Sequence, residues 1–423
     1  MGEPIHVVAF VAVLWVSGYL GLLMIDQLFR LRRLSVLRSQ ESEIFRARLD
    51  AIRNPLVQLV GKAEGQWVGY RKFRIVRKQL EADSICSFYL APHDGRPLPP
   101  YLPGQYLTFR LDIPGQNKPV TRCYSLSDGP THEDYYRVTI KKQSAPPNKA
   151  EVPAGLASTF FHDGLSEGDL IDLKAPSGQF HLRVDTQAPV VLIGGGIGLT
   201  PMLSMLNYIA ATKSRREVWF FYGIRNGREH VMKQHLREVG ANHPNIRVVT
   251  CYSDPLKEEL EGADFDYAER VSIDLLKRVL GVNNFDFYVC GPPPMMESIT
   301  KGLYDWGVPE DRVHFEAFGP ASVKKVTANS PAIVPSSATA LTVAFKRSGK
   351  TLEWTGAAGS LLELAEANGI ALDAGCRAGN CGTCSIAVID GEVNYVTQPG
   401  AAIDPGTCLA CLALPKTHLS ISA

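Results

Sequence analysis

The sequence predicts a multidomain chain: an N-terminal transmembrane helix, an antiparallel β-barrel, an α/β domain on a parallel sheet, and a small β-rich domain that holds metal. Three observations predict it. Residues 5–25 are apolar throughout, with His6 at the edge and no Asp, Glu, Lys or Arg. Beyond Trp67 the pattern changes to short strands between turns, and from Pro189 to continuous apolar runs ending in glycine-rich turns. Finally, Asp373–Cys384 sets Cys376, Cys381 and Cys384 at the spacing C-x4-C-x2-C.

The apolar run has the length needed to span the ~30 Å hydrocarbon core as a helix. It lacks the basic start and small-residue cleavage site of a signal peptide. Arg30, Arg32, Arg33 and Arg38 follow it, whereas only Glu3 carries charge before it. The positive-inside rule therefore places the carboxyl-terminal bulk in the cytoplasm, with the anchor over residues 1–27. Residues 28–64 read as a partly amphipathic helical stalk, interrupted at Asn54-Pro55.

At 423 residues the chain has room for several domains. A net charge of +1 gives no bulk electrostatic reason to bind nucleic acid, which is not expected as a partner. Nine cysteines in so long a chain do not make a disulfide framework. Free thiols and a thiolate-bound metal both suit a reducing compartment, in agreement with the positive-inside reading.

From Trp67, Arg71–Lys78, Ser84–Leu90, Gln105–Leu111, Tyr135–Lys142 and Leu170–Ala175 read as strands of a small antiparallel barrel over residues 65–185. Within it lies Arg122-Cys123-Tyr124-Ser125. R-x-Y-S is the flavin signature of the ferredoxin–NADP reductase superfamily. From about residue 67 to Pro320 the chain resembles that superfamily, most closely the reductase part of flavohaemoglobins. The resemblance implies that Arg122 pairs with a flavin phosphate, that Tyr124 lies against the isoalloxazine ring, and that Ser125 hydrogen-bonds near N5. It also places Thr139 and Lys141 along the ribityl–phosphate side, and Ser158 in a phosphate-holding G-x-x-S turn at a helix start. FAD is the implied flavin, and FMN stays open.

The next domain covers residues 186–320. Pro189–Ile193 suits a strand buried on both faces. It runs into Gly194-Gly195-Gly196-Ile197-Gly198-Leu199-Thr200-Pro201, whose backbone amides can approach a pyrophosphate at the helix start. Thr200 is the expected N-cap and Pro201 the first helical residue. Glycines Gly194, Gly196 and Gly198 match the G-x-G-x-G/T-P form of the same superfamily. No carboxylate ends the second strand, where NAD-specific folds place one. Arg225 and Arg228 stand there instead, either to receive the 2′-phosphate of NADPH or simply as solvated arginines, so NADH and NADPH both remain open. Cys290-Gly291-Pro292-Pro293-Pro294-Met295 matches the superfamily's nicotinamide motif, which places Cys290 and Gly291 beside the reacting carbon. His314–Pro320 matches its closing strand, with Glu316 and Phe318 bordering the flavin. An ordinary core aromatic is the other reading of Phe318.

Residues 321–338 read as a linker and 339–423 as the metal domain. The C-x4-C-x2-C spacing is that of plant-type [2Fe–2S] loops, completed by a distant fourth thiolate. Zinc sites pair C-x2-C knuckles or mix Cys with His, and no His lies in this loop. Cys411 and Cys408 compete as the fourth ligand. The Leu409-Ala410-Cys411 setting matches that of the plant-type ferredoxins, which favours Cys411. The succession of hairpin, capped helix at Ser360, cluster loop and strands resembles the ferredoxin β-grasp.

This order of flavin barrel, nicotinamide domain and ferredoxin resembles the one-chain reductases that feed oxygenases. The resemblance implies a path from NAD(P)H through FAD and a [2Fe–2S] cluster to a separate acceptor metalloprotein in or on the same bilayer, such as an oxygenase or desaturase. Ser125, Cys290 and Glu316 lie at the hydride-transfer centre. Direct quinone reduction and a redox sensor are the alternatives. No haem attachment C-x-x-C-H supplies a terminal site within the chain.

Overall fold

The computed structural model describes residues 67–318 and 341–423, apart from 68, 132, 146–152, 357–358, 376, 378, 380–381, 396–398, 400 and 402. The expected anchor, stalk and linker lie outside the described residues, as do Cys376 and Cys381. Among the described residues no helix is long and apolar enough to cross a membrane.

Strands β1 (Arg71–Ala82), β2 (Ile85–Pro92), β3 (Tyr106–Leu111), β4 (Val120–Ser125), β5 (Tyr136–Lys141) and β6 (Leu170–Leu173) form an antiparallel sheet in the order β4-β3-β6-β1-β2-β5. Alternation along β1 sets its faces: Phe73 and Ile75 point inward, Arg74 and Val76 outward. An antiparallel bridge from Leu126 to Val138 brings the chain just past β4 beside β5, which closes the sheet as a barrel. Phe73, Phe88, Leu107, Phe109 and Phe161 fill the interior. The single-turn helix α1 (Leu156–Thr159) opens at Gly155 against this barrel.

Strands β7 (Val190–Gly195), β8 (Val218–Ile224), β9 (Ile246–Tyr252), β10 (Asp286–Cys290) and β11 (Val313–Glu316) form a parallel sheet in the order β11-β10-β7-β8-β9. Helices α2 (Leu199–Ala211), α3 (Lys233–Asn242), α4 (Ile273–Leu280) and α5 (Pro293–Asp305) accompany it. β7 and β10 are buried along their whole length, as their unbroken apolar sequences require. The strand order reverses between β7 and β10, and ligands of open α/β sheets bind in the crevice at that switch point. The glycine turn and Cys290-Gly291 both sit there.

One local expectation is corrected. Thr200 does not cap α2. A 3-10 turn, Gly196–Gly198, leads straight into the helix at Leu199 with Gly198 in the cap position. The glycine turn is already helical, so the chain has no extended residue for a hydroxyl to cap. Thr200 instead lies in the first turn, and its Oγ1 donates to the Ile197 carbonyl at 3.1 Å.

The carboxyl-terminal domain has strands β12 (Leu341–Phe345), β13 (Lys350–Trp354), β14 (Ser385–Asp390), β15 (Val393–Tyr395), β16 (Thr407–Leu409), β17 (Ala413–Pro415) and β18 (Leu419–Ile421), with helix α6 (Leu361–Ala367). The main sheet runs β13-β12-β18-β14-β16, with β12 and β18 parallel. Ser360 caps α6, its hydroxyl accepting from the Glu363 amide at 3.2 Å. Leu361, Leu362, Leu364 and Ala365 bury the other face of that helix in the domain core.

Candidate active site

A cavity of about 450 Å³ opens where the barrel, the parallel sheet and the cluster loop meet. The barrel contributes Arg122, Tyr124 and Ser125 from the end of β4, and Gly155 and Ser158 from the α1 turn. Thr200, Glu316 and Phe318 come from the nicotinamide domain. Gly375 and Arg377 come from the cysteine loop of the third domain.

One of these groups, Ser125, lacks a partner among the described residues. The Ser125 side chain is buried, and its hydroxyl has no hydrogen-bond partner among the described residues. A buried hydroxyl in that state costs free energy unless a ligand completes it. Arg122 spends one guanidinium nitrogen on the Thr121 carbonyl at 2.7 Å, leaving its other donors available to phosphate oxygens. Tyr124 is held edge-on by Phe109 and Phe161, at centroid distances of 5.7 and 5.2 Å. Burial pushes its phenol well up, so it stays neutral and presents a ring rather than a charge. At Gly155 a Cβ would stand 2.7 Å from the Ser158 hydroxyl, so the turn closes tightly only with glycine. The Ser158 hydroxyl in turn donates to the Gly155 carbonyl at 3.0 Å and accepts from the Gln143 amide at 3.1 Å.

Two further expected flavin contacts, Thr139 and Lys141, also line the cavity and are bonded within the protein. The Thr139 hydroxyl is buried between the Ser87 and Ser127 hydroxyls, at 2.8 Å from each. Lys141 pairs with Glu229 of the nicotinamide domain at 3.1 Å.

The nicotinamide side is equally compact. Cys290 and Glu316 are direct partners in the β10–β11 register. Glu316 is half-buried as a residue, yet its Oε2 is shut off from solvent and has no partner among the described residues. Burial therefore lifts its carboxyl to about 8. Burial first, and Glu316 second, push the Cys290 thiol well up, so it is an uncharged, apolar neighbour and no nucleophile. A Cβ on Gly198 would collide with the Cys290 carbonyl, so the switch-point crevice requires glycine at that position. Gly194 is buried as the penultimate residue of β7, before Gly195, and Gly291 packs against Gly195. Arg225 and Arg228 are exposed, and among the described residues no carboxylate pairs with either.

In the third domain the structure brings Cys384 and Cys411 together, their sulfurs 3.1 Å apart in a buried setting. Thiolates that would hold a compact cluster must converge. Cys408 is fully buried on β16, paired across the sheet with Ile386. Among the described residues no three metal-ligating side chains cluster, and Cys376 and Cys381 lie outside that set.

Comparison with known families accounts for all three units. Residues 73–182 match the oxidoreductase FAD-binding domain, 192–301 the oxidoreductase NAD-binding domain, and 345–416 the 2Fe-2S iron-sulfur cluster binding domain. The chain is an FAD- and NAD(P)-binding reductase of the ferredoxin–NADP reductase type, with a carboxyl-terminal [2Fe–2S] domain. Among curated relatives, the flavohemoprotein of Bacillus thuringiensis subsp. konkukian is 40% identical over 259 residues, 61% of this chain and 63% of that protein. The Bordetella pertussis flavohemoprotein is 39% identical over 260 residues, 62% of this chain and 63% of that protein. The reductase thus spans less than two thirds of the length of these relatives. Among solved structures, phthalate dioxygenase reductase is 25% identical with a TM-score of 0.50, covering 84% of this chain and 98% of its own. An intact type IV self-sufficient cytochrome P450 monooxygenase shares the fold at 20% identity and a TM-score of 0.56, over 86% of this chain and 43% of its own.

The donor set of the reductase fits its cofactors. The unpartnered Ser125 hydroxyl, the Arg122 fork and the Gly155 turn suit a flavin with its phosphates. The glycine crevice at the switch point suits a dinucleotide, and the convergent Cys384–Cys411 pair suits a cluster. When bound, the flavin would supply a carrier able to take two electrons from NAD(P)H and release them singly, and the cluster a one-electron carrier. Sequence reasoning found the local motifs but missed Cys123, Gly375 and Arg377 as cavity walls. Cys123 was signalled by its place inside R-x-Y-S. Nothing local signalled the other two, because their position depends on how the third domain packs.

Proposed function

We propose that this reductase passes electrons from NAD(P)H through FAD and the cluster to a separate acceptor metalloprotein, such as a membrane oxygenase or desaturase. The observation that carries the reading is the single cavity walled by all three domains. Residues expected to hold the flavin share its walls with Thr200, Glu316 and Phe318 of the nicotinamide domain and with Gly375 and Arg377 of the cysteine loop. Arg122, Tyr124, Ser125 and Ser158 bind and orient the flavin. Thr200 and the glycine turn seat the dinucleotide. Cys290 packs against the nicotinamide, while neutral Glu316 holds a proton at the cavity edge. Cys376, Cys381, Cys384 and Cys411 ligate the cluster.

The likeness to phthalate dioxygenase reductase, described as modular for electron transfer from pyridine nucleotides to [2Fe-2S], supports an external acceptor. The apolar segment at residues 5–25 supports a bilayer tether, which raises the local concentration of an acceptor in the same membrane. The test is reduction of cytochrome c by the cofactor-loaded chain with NADH or NADPH. Bleaching of both the flavin and cluster absorbance, with turnover, is expected. Flavin bleaching with no cluster bleaching would overturn the reading. Turnover with a ubiquinone analogue in liposomes, and none with protein acceptors, would move it to quinone reduction.

A further inference from the structure

The barrel and the nicotinamide domain touch just past the flavin strand. The chain leaving β4 runs Ser125-Leu126-Ser127-Asp128-Gly129, and all five residues are buried. At Gly129 a Cβ would stand 3.0 Å from the Tyr208 amide nitrogen and 3.2 Å from the Asn207 carbonyl carbon. The loop therefore lies backbone to backbone on α2, as only glycine allows without displacement. α2 is the helix that follows the glycine turn of the dinucleotide site.

Side chains close the contact. Asp128 is buried and takes donors from both domains. Its carboxylate accepts from Asn207 Nδ2 of α2 at 2.8 Å and pairs with Arg137 Nη1 of β5 at 3.3 Å. Its backbone carbonyl accepts from the Ser204 hydroxyl of α2 at 2.6 Å and from the Tyr101 hydroxyl of the barrel at 2.5 Å. Ser204 and Asn207, three residues apart, share one face of the helix. A carboxylate only accepts, which turns the Asn207 amide nitrogen to Asp128 and its oxygen to His235 of α3, whose Nε2 donates at 2.8 Å. Arg137 donates to the Ser127 carbonyl at 2.5 Å, and the Ser127 hydroxyl meets that of Thr139, a wall of the flavin cavity. A continuous polar chain thus joins α3 and α2 to the flavin side of the barrel.

We infer that Asp128 is a positioning residue for hydride transfer, clasping α2 to the flavin strand through Ser204 and Asn207 and so fixing the gap between nicotinamide and flavin. The reaction moves one hydride, with its two electrons, from NAD(P)H to the flavin. Its rate falls steeply once the reacting atoms lose their close, aligned approach. The glycine turn for the dinucleotide opens α2, whereas Arg122, Tyr124 and Ser125 end β4. Asp128 lies three residues beyond Ser125, and Asn207 eight residues beyond Leu199, about 12 Å along the helix. A small tilt of α2 at the clasp therefore shifts the glycine turn against the flavin. Asp128, Ser204 and Asn207 are not among the residues lining the flavin cavity, so their effect passes through α2 and β4 rather than by contact.

This step precedes the cluster, so its outcome does not depend on which acceptor the reductase serves. The decisive variant is Ser204→Ala/Asn207→Ala, which cuts the clasp on the α2 side and leaves Asp128 paired with Arg137. On the cofactor-loaded protein, stopped flow at the flavin wavelength gives the limiting rate of reduction and the NAD(P)H concentration at half saturation. The limiting rate should fall about tenfold or more, with a deuterium isotope effect retained, while half saturation changes by less than about twofold. Reduction of the same flavin by dithionite, which makes no use of α2, should keep its rate. Without nucleotide, amide hydrogen exchange along α2 should rise. Gly129→Ala, a wedge at the same contact, should lower the limiting rate in the same direction. If the double variant fails to hold FAD, Asn207→Ala decides by the same measurements, since that residue is only half-buried. An unchanged limiting rate overturns the inference, as does a loss confined to nucleotide affinity or a matching fall in the dithionite rate.

Discussion

Glu316 joins burial to protonation most directly. Its carboxyl is lifted from the ordinary 4.5 to about 8, so the fold favours the neutral acid. A folded-state value above the unfolded one means that this contribution is complete below about pH 4.5 and is lost as pH rises through about 8. Glu316→Gln should therefore flatten the pH dependence of the melting temperature across that window, as measured on the holoprotein by flavin fluorescence. The ligand choice between cysteines is also a single-residue question. Cys411→Ser should lose the cluster spectrum, while Cys408→Ser should keep it, because Cys411 is the residue whose sulfur meets that of Cys384. At the open end of β8, Arg225→Ala/Arg228→Ala should raise the KM for NADPH by about tenfold and leave that for NADH nearly unchanged. A lost charge-assisted hydrogen bond to phosphate has that magnitude. Equal effects on both nucleotides would make these arginines ordinary solvated residues.

At the scale of elements, glycine turns and caps were the most legible features. β7 was readable because an unbroken apolar run ending in glycines is rarely anything but a buried parallel strand. The capped start of α6 was readable from Ser360 with Glu363 three residues on, and the hydroxyl does accept from that amide. Ser360→Ala should destabilise the cluster domain by about 1 kcal/mol. The readout is the thermal loss of visible circular dichroism from the cluster. The start of α2 was not legible. Thr200-Pro201 is a good local cap signal, but the preceding glycine turn is itself helical and overrides it. Gly198→Ala should abolish tight NAD(P)H binding, measured by titration calorimetry, because its methyl group meets the Cys290 carbonyl.

The three described domains meet through residues that are far apart in sequence. Lys141 of the barrel meets Glu229 of the nicotinamide domain, and the cluster loop walls the flavin cavity. The exposed Lys118–Asp373 pair should matter little, since such pairs are screened by solvent. Lys118→Ala is accordingly expected to leave flavin-to-cluster transfer nearly unchanged in stopped flow. For the apolar segment, deletion of residues 5–25 should move the reductase from the membrane fraction to the supernatant with its cofactors retained. Retention of the deleted form in the membrane would remove the tether from the proposal.

By itself the sequence determined the order of the FAD, NAD and [2Fe–2S] domains and their cofactors. Each of those signals is contiguous and obeys local rules: strand alternation, glycine turns at phosphate sites, and thiolate spacing around a cluster. Only the tertiary structure decided which residues share the cavity. Glu316 acquires its raised pKa from burial, Cys411 meets Cys384 through the pairing of β14 with β16, and Arg377 reaches the flavin side because one domain packs on another. These are contacts between residues distant along the chain, and periodicity and spacing carry no information about them.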